Sequence, residues 1–159
     1  MYSVLFVCTG NQYRSPIAAE AFREQLIRDG RAAQWRVSSA GTWTSSGRHA
    51  LPEAVELARS FGLNIYGHKT CMLDAKMLED ADLILVMEQG HKESIQVEFP
   101  FARNKVYLLS QATEGLIYDI PDPAELKQEA RNIIYDMVEI IHTWHENIYR
   151  IAEAIRDRQ

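Results

Sequence analysis

The chain has 159 residues, 47% of them hydrophobic and 25% charged, with a formal net charge of −5. That length suits one domain, expected to span residues 1–159, and supports a core that needs no covalent staples. The charge argues against a broad nucleic-acid surface, and Cys8 and Cys71 alone make no disulfide framework.

The apolar start, Val4 to Cys8, is too short for a signal peptide and lacks a basic flank. No stretch approaches the roughly 20 apolar residues that span a bilayer. Cytoplasmic residence without membrane insertion is therefore expected.

In chain order, the first apolar run, Ser3–Cys8, predicts a strand that ends on a cysteine. The loop Thr9-Gly10-Asn11-Gln12-Tyr13 follows, then Arg14. Ser15 is expected to cap a helix reaching about Asp29, with Pro16 in its first position and Ile17, Ala18, Ala21, Phe22 and Leu26 on one face. Gly30 supplies a stop signal.

Further strands are expected over Trp35–Ala40, Asp82–Met87 and Lys105–Leu109. Helical patterns fall near Pro52–Phe61, Leu73–Asp80 and Gly90–Val97. A long last helix is expected from Pro123 to about Asp157, with a stripe of Ile133, Met137, Ile140, Trp144, Ile148, Ile151 and Ile155. That stripe could serve a coiled-coil partner, but packing on the sheet is the simpler reading.

Alternation of strand and helix means a parallel sheet in an α/β domain with helices on both faces. Ligands of such sheets bind at the carboxyl ends of strands, where Cys8 lies. A cysteine at a helix N-terminus beside a cation is readily held as a thiolate. Backbone N–H groups from Thr9 to Arg14 could form an anion nest, with Gly10 adding conformational freedom. Arg14 offers phosphate two parallel donors.

Cysteine is also a common packing residue, and C-x5-R at an arbitrary position is a weak pattern. Its placement between a strand and a Ser-Pro helix start favours the anion site. There is no G-x-x-x-x-G-K-[ST], which disfavours nucleotide hydrolysis.

These residues resemble the low-molecular-weight protein tyrosine phosphatases, bacterial type, over nearly the whole chain. The resemblance rests on Val4-Leu-Phe-Val-Cys8 through Arg14-Ser15-Pro16, on Ser38-Ser39-Ala40-Gly41-Thr42, on Asp80 to Met87 with His91 beyond, and on Ile120-Pro121-Asp122-Pro123. It implies a four-stranded parallel sheet in the order 2-1-3-4. It also implies hydrolysis of phosphotyrosine through a phosphocysteine, with no metal or other cofactor.

Carried onto this chain, Cys8 would be the nucleophile, Arg14 the phosphate clamp and Asp122 the general acid. Thr9, Gly10, Asn11, Gln12, Tyr13 and Ser15 would surround the phosphoryl group. Asn11 would hold the loop's strained shape, Ser15 would stabilise the thiolate, and Ser39 would brace the loop from behind. The implied partner is a phosphotyrosine protein, in some bacterial members a tyrosine kinase of exopolysaccharide production.

Asp122 also reads as a helix N-cap before Pro123, and Asp119 is a spare carboxylate. Three departures stand out: Tyr13 where many relatives have a second cysteine, Ala124 where many have tyrosine after Asp-Pro, and Trp43 a turn early. The histidines show no metal-ligand spacing; His49, His68, His91, His142 and His145 are expected to be structural or on the surface.

Two other functions compete. Arsenate reduction by this loop needs two more cysteines for its relay, and only Cys71 is present. A silent phospho-binding module would need neither thiol nor acid.

Overall fold

The computed structural model describes residues 1–159. Four parallel strands form one sheet in the order β2-β1-β3-β4, as expected: β1 Tyr2–Cys8, β2 Trp35–Gly41, β3 Leu83–Val86 and β4 Val106–Leu108. β1 lies between β2 and β3, in a register that sets Cys8 beside Gly41 and Val7 beside both Ala40 and Val86. Strand ends differ from the sequence reading by at most one residue, as frayed ladder ends do.

Residue alternation along β1 sends its side chains to two separate cores. Val4, Phe6 and Cys8 join the larger one, against α1 (Arg14–Arg28) and α6 (Ala130–Asp157). Leu5 and Val7 join the smaller, with Leu78 of α3 (Ala75–Asp80) and Ile95 of α4 (Gln89–Glu98). In the larger core, fully buried Phe22 packs edge-on against Trp35 and Tyr149 at centroid distances of 5.4 and 5.8 Å. Truncating such a side chain to alanine costs about 3–5 kcal/mol.

Helix α2 covers Pro52–Ser60, and a short helix α5, Leu109–Thr113, follows β4 directly. α5 carries no periodic signal because its five residues are mostly buried all round.

Two expectations at helix starts are corrected. Helix α1 begins at Arg14, with Tyr13 in the cap position and no side-chain cap. Ser15 and Pro16 therefore lie inside the first turn, and the Ser15 hydroxyl is used elsewhere.

The last helix starts at Ala130, preceded by a 3-10 turn over Lys127–Glu129. Asp122 caps no helix: its Oδ1 accepts the Ala124 N–H at 2.9 Å in a tight turn. The buried face of α6 carries Ile134, Met137, Val138, Ile141, Ile148, Tyr149, Ala152 and Ile155. Ile133, Ile140 and Ile151 are only half-buried, and Trp144 is exposed.

Isoleucines occupy adjacent positions at Ile133-Ile134 and Ile140-Ile141, and packing buries the second of each pair; further on, the helix is kinked at Trp144, with non-helical φ −116° and ψ 18°. His145 Nδ1 bonds the His142 carbonyl oxygen at 2.8 Å at this break, and its Nε2 lies 2.9 Å from Asp29 at the end of α1. No helix is long and apolar enough to cross a membrane.

Candidate active site

β1 delivers Cys8 to the carboxyl edge of the sheet, and the chain turns sharply through residues 9–13 into α1. Cys8 is 3% exposed, yet its sulfur faces polar atoms. Ser15 Oγ lies 2.9 Å from Sγ, and the Asn11 backbone N–H donates to it at 3.3 Å. These contacts give the buried sulfur a polar setting rather than a packing one.

Asn11 sets the loop's shape. It is the one non-glycine residue with positive φ, 57°, a left-handed conformation that asparagine tolerates better than most residues. Its buried side chain spans three partners. Nδ2 donates to Ser15 Oγ at 2.8 Å and to Ser39 Oγ at 3.0 Å, while Oδ1 accepts the Cys71 N–H at 2.9 Å. Its carbonyl is bonded by His68 Nε2 at 2.7 Å.

The loop also crosses β2 with no room to spare. A Cβ on Gly41 would stand 2.6 Å from the Thr9 carbonyl oxygen. Only glycine allows that approach. The Thr42 and Trp43 N–H groups then bond the Cys8 and Thr9 carbonyls, each at 3.0 Å.

Arg14 is 2% exposed, and both of its hydrogen bonds leave from Nη1: 2.8 Å to Glu88 Oε2 and 2.7 Å to the Ile120 carbonyl. Glu88 is the N-cap of α4, and its side chain also accepts the His91 backbone N–H. His91 Nδ1 in turn accepts the Glu88 N–H at 3.1 Å. That bond places the ring proton on Nε2, which donates to Thr9 Oγ1 at 2.8 Å. Burial, then the Arg14 charge, holds His91 down at about 4, so the ring is neutral at pH 7.

Asp122 sits half-buried on the segment that Ile120 ties to β3 through a 2.9 Å bond to the Met87 carbonyl. Tyr13 closes the loop, buried at the start of α1. Burial raises its hydroxyl above the usual tyrosine value, and the charges of Glu53 and Asp122 push in the same direction. Asp119 is engaged elsewhere, accepting the Gln89 N–H at the start of α4 at 2.8 Å.

The arrangement gathers two bonded sets on the one loop: Cys8, Asn11, Ser15 and Ser39 in the first, and Thr9 and Arg14 joined through His91 and Glu88 in the second. Gln12 stands outside both sets, its Nε2 donating to the His49 carbonyl at 3.0 Å. Sequence reasoning missed Glu88, His68 and His91 as partners of the loop. Glu88 and His91 had a local signal, the N-cap-to-N3 spacing of a capping box. His68, 57 residues from Asn11, had none. Cys71 is exposed and serves the loop through its backbone N–H.

A family model described as low molecular weight phosphotyrosine protein phosphatase matches residues 3–154. The chain is 35% identical over 137 residues to the low molecular weight protein-tyrosine-phosphatase Etp of Escherichia coli (strain K12), covering 86% of this chain and 87% of that one. It is 32% identical over 158 residues to a protein-arginine-phosphatase of Geobacillus stearothermophilus, covering 99% of each. Among solved structures, a low molecular weight protein tyrosine phosphatase from Bacillus subtilis superposes with a TM-score of 0.83 at 30% identity, covering 93% of this chain and 97% of that one.

Proposed function

Because the chain belongs to the low molecular weight phosphotyrosine protein phosphatase family, we propose that it hydrolyses phosphotyrosine in proteins through a phosphocysteine intermediate. The observation that carries the mechanism is the convergence of the Asn11 N–H and the Ser15 hydroxyl on Cys8 Sγ, at the carboxyl edge of the sheet.

Cys8 Sγ attacks phosphorus in line, forming an S–P bond as the P–O bond to the phenol breaks. N–H groups of residues 9–14 and the Arg14 nitrogens other than Nη1 take up charge on the three equatorial oxygens. Asp122 gives its proton to the departing phenolate oxygen. Its carboxylate then takes a proton from water, which attacks phosphorus, releases inorganic phosphate and restores the thiolate. Asn11 and Ser39 hold the loop, and Thr9, Gly10, Gln12 and Tyr13 complete its wall.

A second reading concerns the leaving group. The Geobacillus relative that matches over 99% of this chain is a protein-arginine-phosphatase, and Ala124 puts no aromatic ring after Asp122-Pro123. Steady-state hydrolysis of matched phosphotyrosine and phosphoarginine peptides separates the two. Higher kcat/KM on phosphotyrosine is expected, with activity lost in Cys8→Ser. Preference for phosphoarginine would replace the substrate and keep the nucleophile, whereas full activity in Cys8→Ser would overturn both. A bacterial tyrosine kinase as the physiological substrate is a finer proposal, tested by dephosphorylation of its tyrosine-rich tail.

A further inference from the structure

The surface beside the catalytic loop has a charge pattern opposite to that of the whole chain. Between Asp29 and Glu53 there is no acidic residue, while Arg31, Arg36 and Arg48 are present. Between Glu56 and Asp74 there is again none, while Arg59 and Lys69 are present.

The fold brings parts of these two stretches together. His49 and Lys69 pair in an antiparallel bridge. Beside it the Thr70 N–H donates to the Arg48 carbonyl at 2.8 Å, and the Arg48 N–H donates to Thr70 Oγ1 at 2.9 Å. Met72 N–H bonds Ser46 Oγ at 3.0 Å, pinning the other side of the segment.

Between this paired segment and the catalytic loop lies a depression of about 450 Å3, lined by Gly10, Gln12, Trp43, Ser45, Arg48 and Met72. Two of its lining residues therefore belong to the phosphate loop itself. Arg48 and Lys69 are both exposed, and no ion pair in the chain involves either. Trp43 is 82% exposed, although its backbone N–H is fixed to the Thr9 carbonyl. A large aromatic left in water beside an unpaired guanidinium, on a firmly held backbone, is the composition of a recognition anchor.

We infer that this depression is a subsite for the substrate polypeptide and takes an acidic side chain close in sequence to the phosphorylated residue. The inference rests on the phosphatase reading above. A polypeptide with its phosphoryl group in the loop runs out past the loop's rim, where the depression opens. There Arg48 pairs with the carboxylate, Lys69 adds to the local positive potential, and the Trp43 indole covers the peptide's apolar stem. The overall charge of −5 makes this local reversal a selective one, because acidic segments meet repulsion over much of the remaining surface.

The test uses two phosphotyrosine peptides, identical except for glutamate or lysine at the flanking positions, and a small aryl phosphate as control. Wild type is expected to show about tenfold higher kcat/KM on the glutamate peptide, a preference that shrinks as salt rises. The double variant Arg48→Glu with Lys69→Glu is expected to lose or invert that preference, with aryl phosphate turnover within twofold of wild type. Trp43→Ala is expected to weaken both peptides alike and leave the aryl phosphate unchanged.

Equal kcat/KM on the two peptides, or the same preference in the double variant, would overturn the subsite. Failure to hydrolyse the aryl phosphate would instead refute the phosphatase reading. Calorimetric affinities of the two peptides for Cys8→Ser then decide the subsite independently, a glutamate preference supporting it and its absence removing it.

Discussion

Arg14 and Glu88 stand 74 positions apart and are joined by a 2.8 Å bond from Nη1 to Oε2. The same carboxylate caps helix α4 through the His91 N–H. The residue proposed to clamp phosphate is thus aimed by the start of a helix on the other side of the sheet's central crossing. Shortening or neutralising Glu88 releases both.

Glu88→Gln is accordingly expected to lower kcat/KM by about 10- to 100-fold, the range for a lost charge-assisted bond of roughly 1.5–3 kcal/mol. Inhibition by vanadate should weaken in parallel, because the same guanidinium holds the inhibitor. An unchanged vanadate constant would show that Arg14 keeps its aim without Glu88.

Asp122→Ala is expected to reduce kcat by roughly 10²–10⁴ while phosphate still binds about as well as to wild type. Substrates with better leaving groups should suffer less, since they need less protonation. A uniform loss across leaving groups would assign the acid role elsewhere.

Asn11 separates two costs that usually travel together. Asn11→Ala loses three side-chain hydrogen bonds and also places a less tolerant residue at φ 57°. Asn11→Gly loses the same bonds without the conformational cost. Both should be destabilised in urea titrations, with alanine worse than glycine by about 1 kcal/mol. Equal losses would mean that the backbone relaxes out of the left-handed region.

His91 predicts how acid affects the fold. It sits at about 4 in the folded chain against 6.5 unperturbed, so between these values the unfolded chain holds a proton that the folded one refuses. Stability therefore rises with pH through that window, and acidification across it removes roughly 3 kcal/mol. Burial lowers His68 and His142 as well, adding in the same direction. Denaturant titrations at pH 7 and pH 4 should show the loss, and His91→Gln should flatten it.

The sheet was legible because β1 and β3 are continuous apolar runs buried on both faces, the signature of parallel strands. The site was half legible. Cys8, Arg14 and Asn11 fall within seven consecutive residues, where strand, loop and helix start follow in order. His68 and the Ile120 carbonyl reach the loop only through tertiary packing, so no local spacing marks them, and the capping-box spacing of Glu88 and His91 marks a helix start rather than a partner of the loop. Ser15 read as a helix cap because its hydroxyl type suits one; in the fold it serves the sulfur and Asn11 instead. The α6 stripe was misplaced because Ile133-Ile134 and Ile140-Ile141 fit the periodicity equally well, and only packing decides which of each pair is buried.

The amide of Asn11 reaches a helix turn, a strand and a distant backbone N–H at once. The oxyanion socket is in this way preorganised when the chain folds, whether or not a ligand arrives. Vanadate or phosphate should then dock as onto a rigid template, with no slow isomerisation phase in stopped-flow traces and little conformational entropy lost on capture.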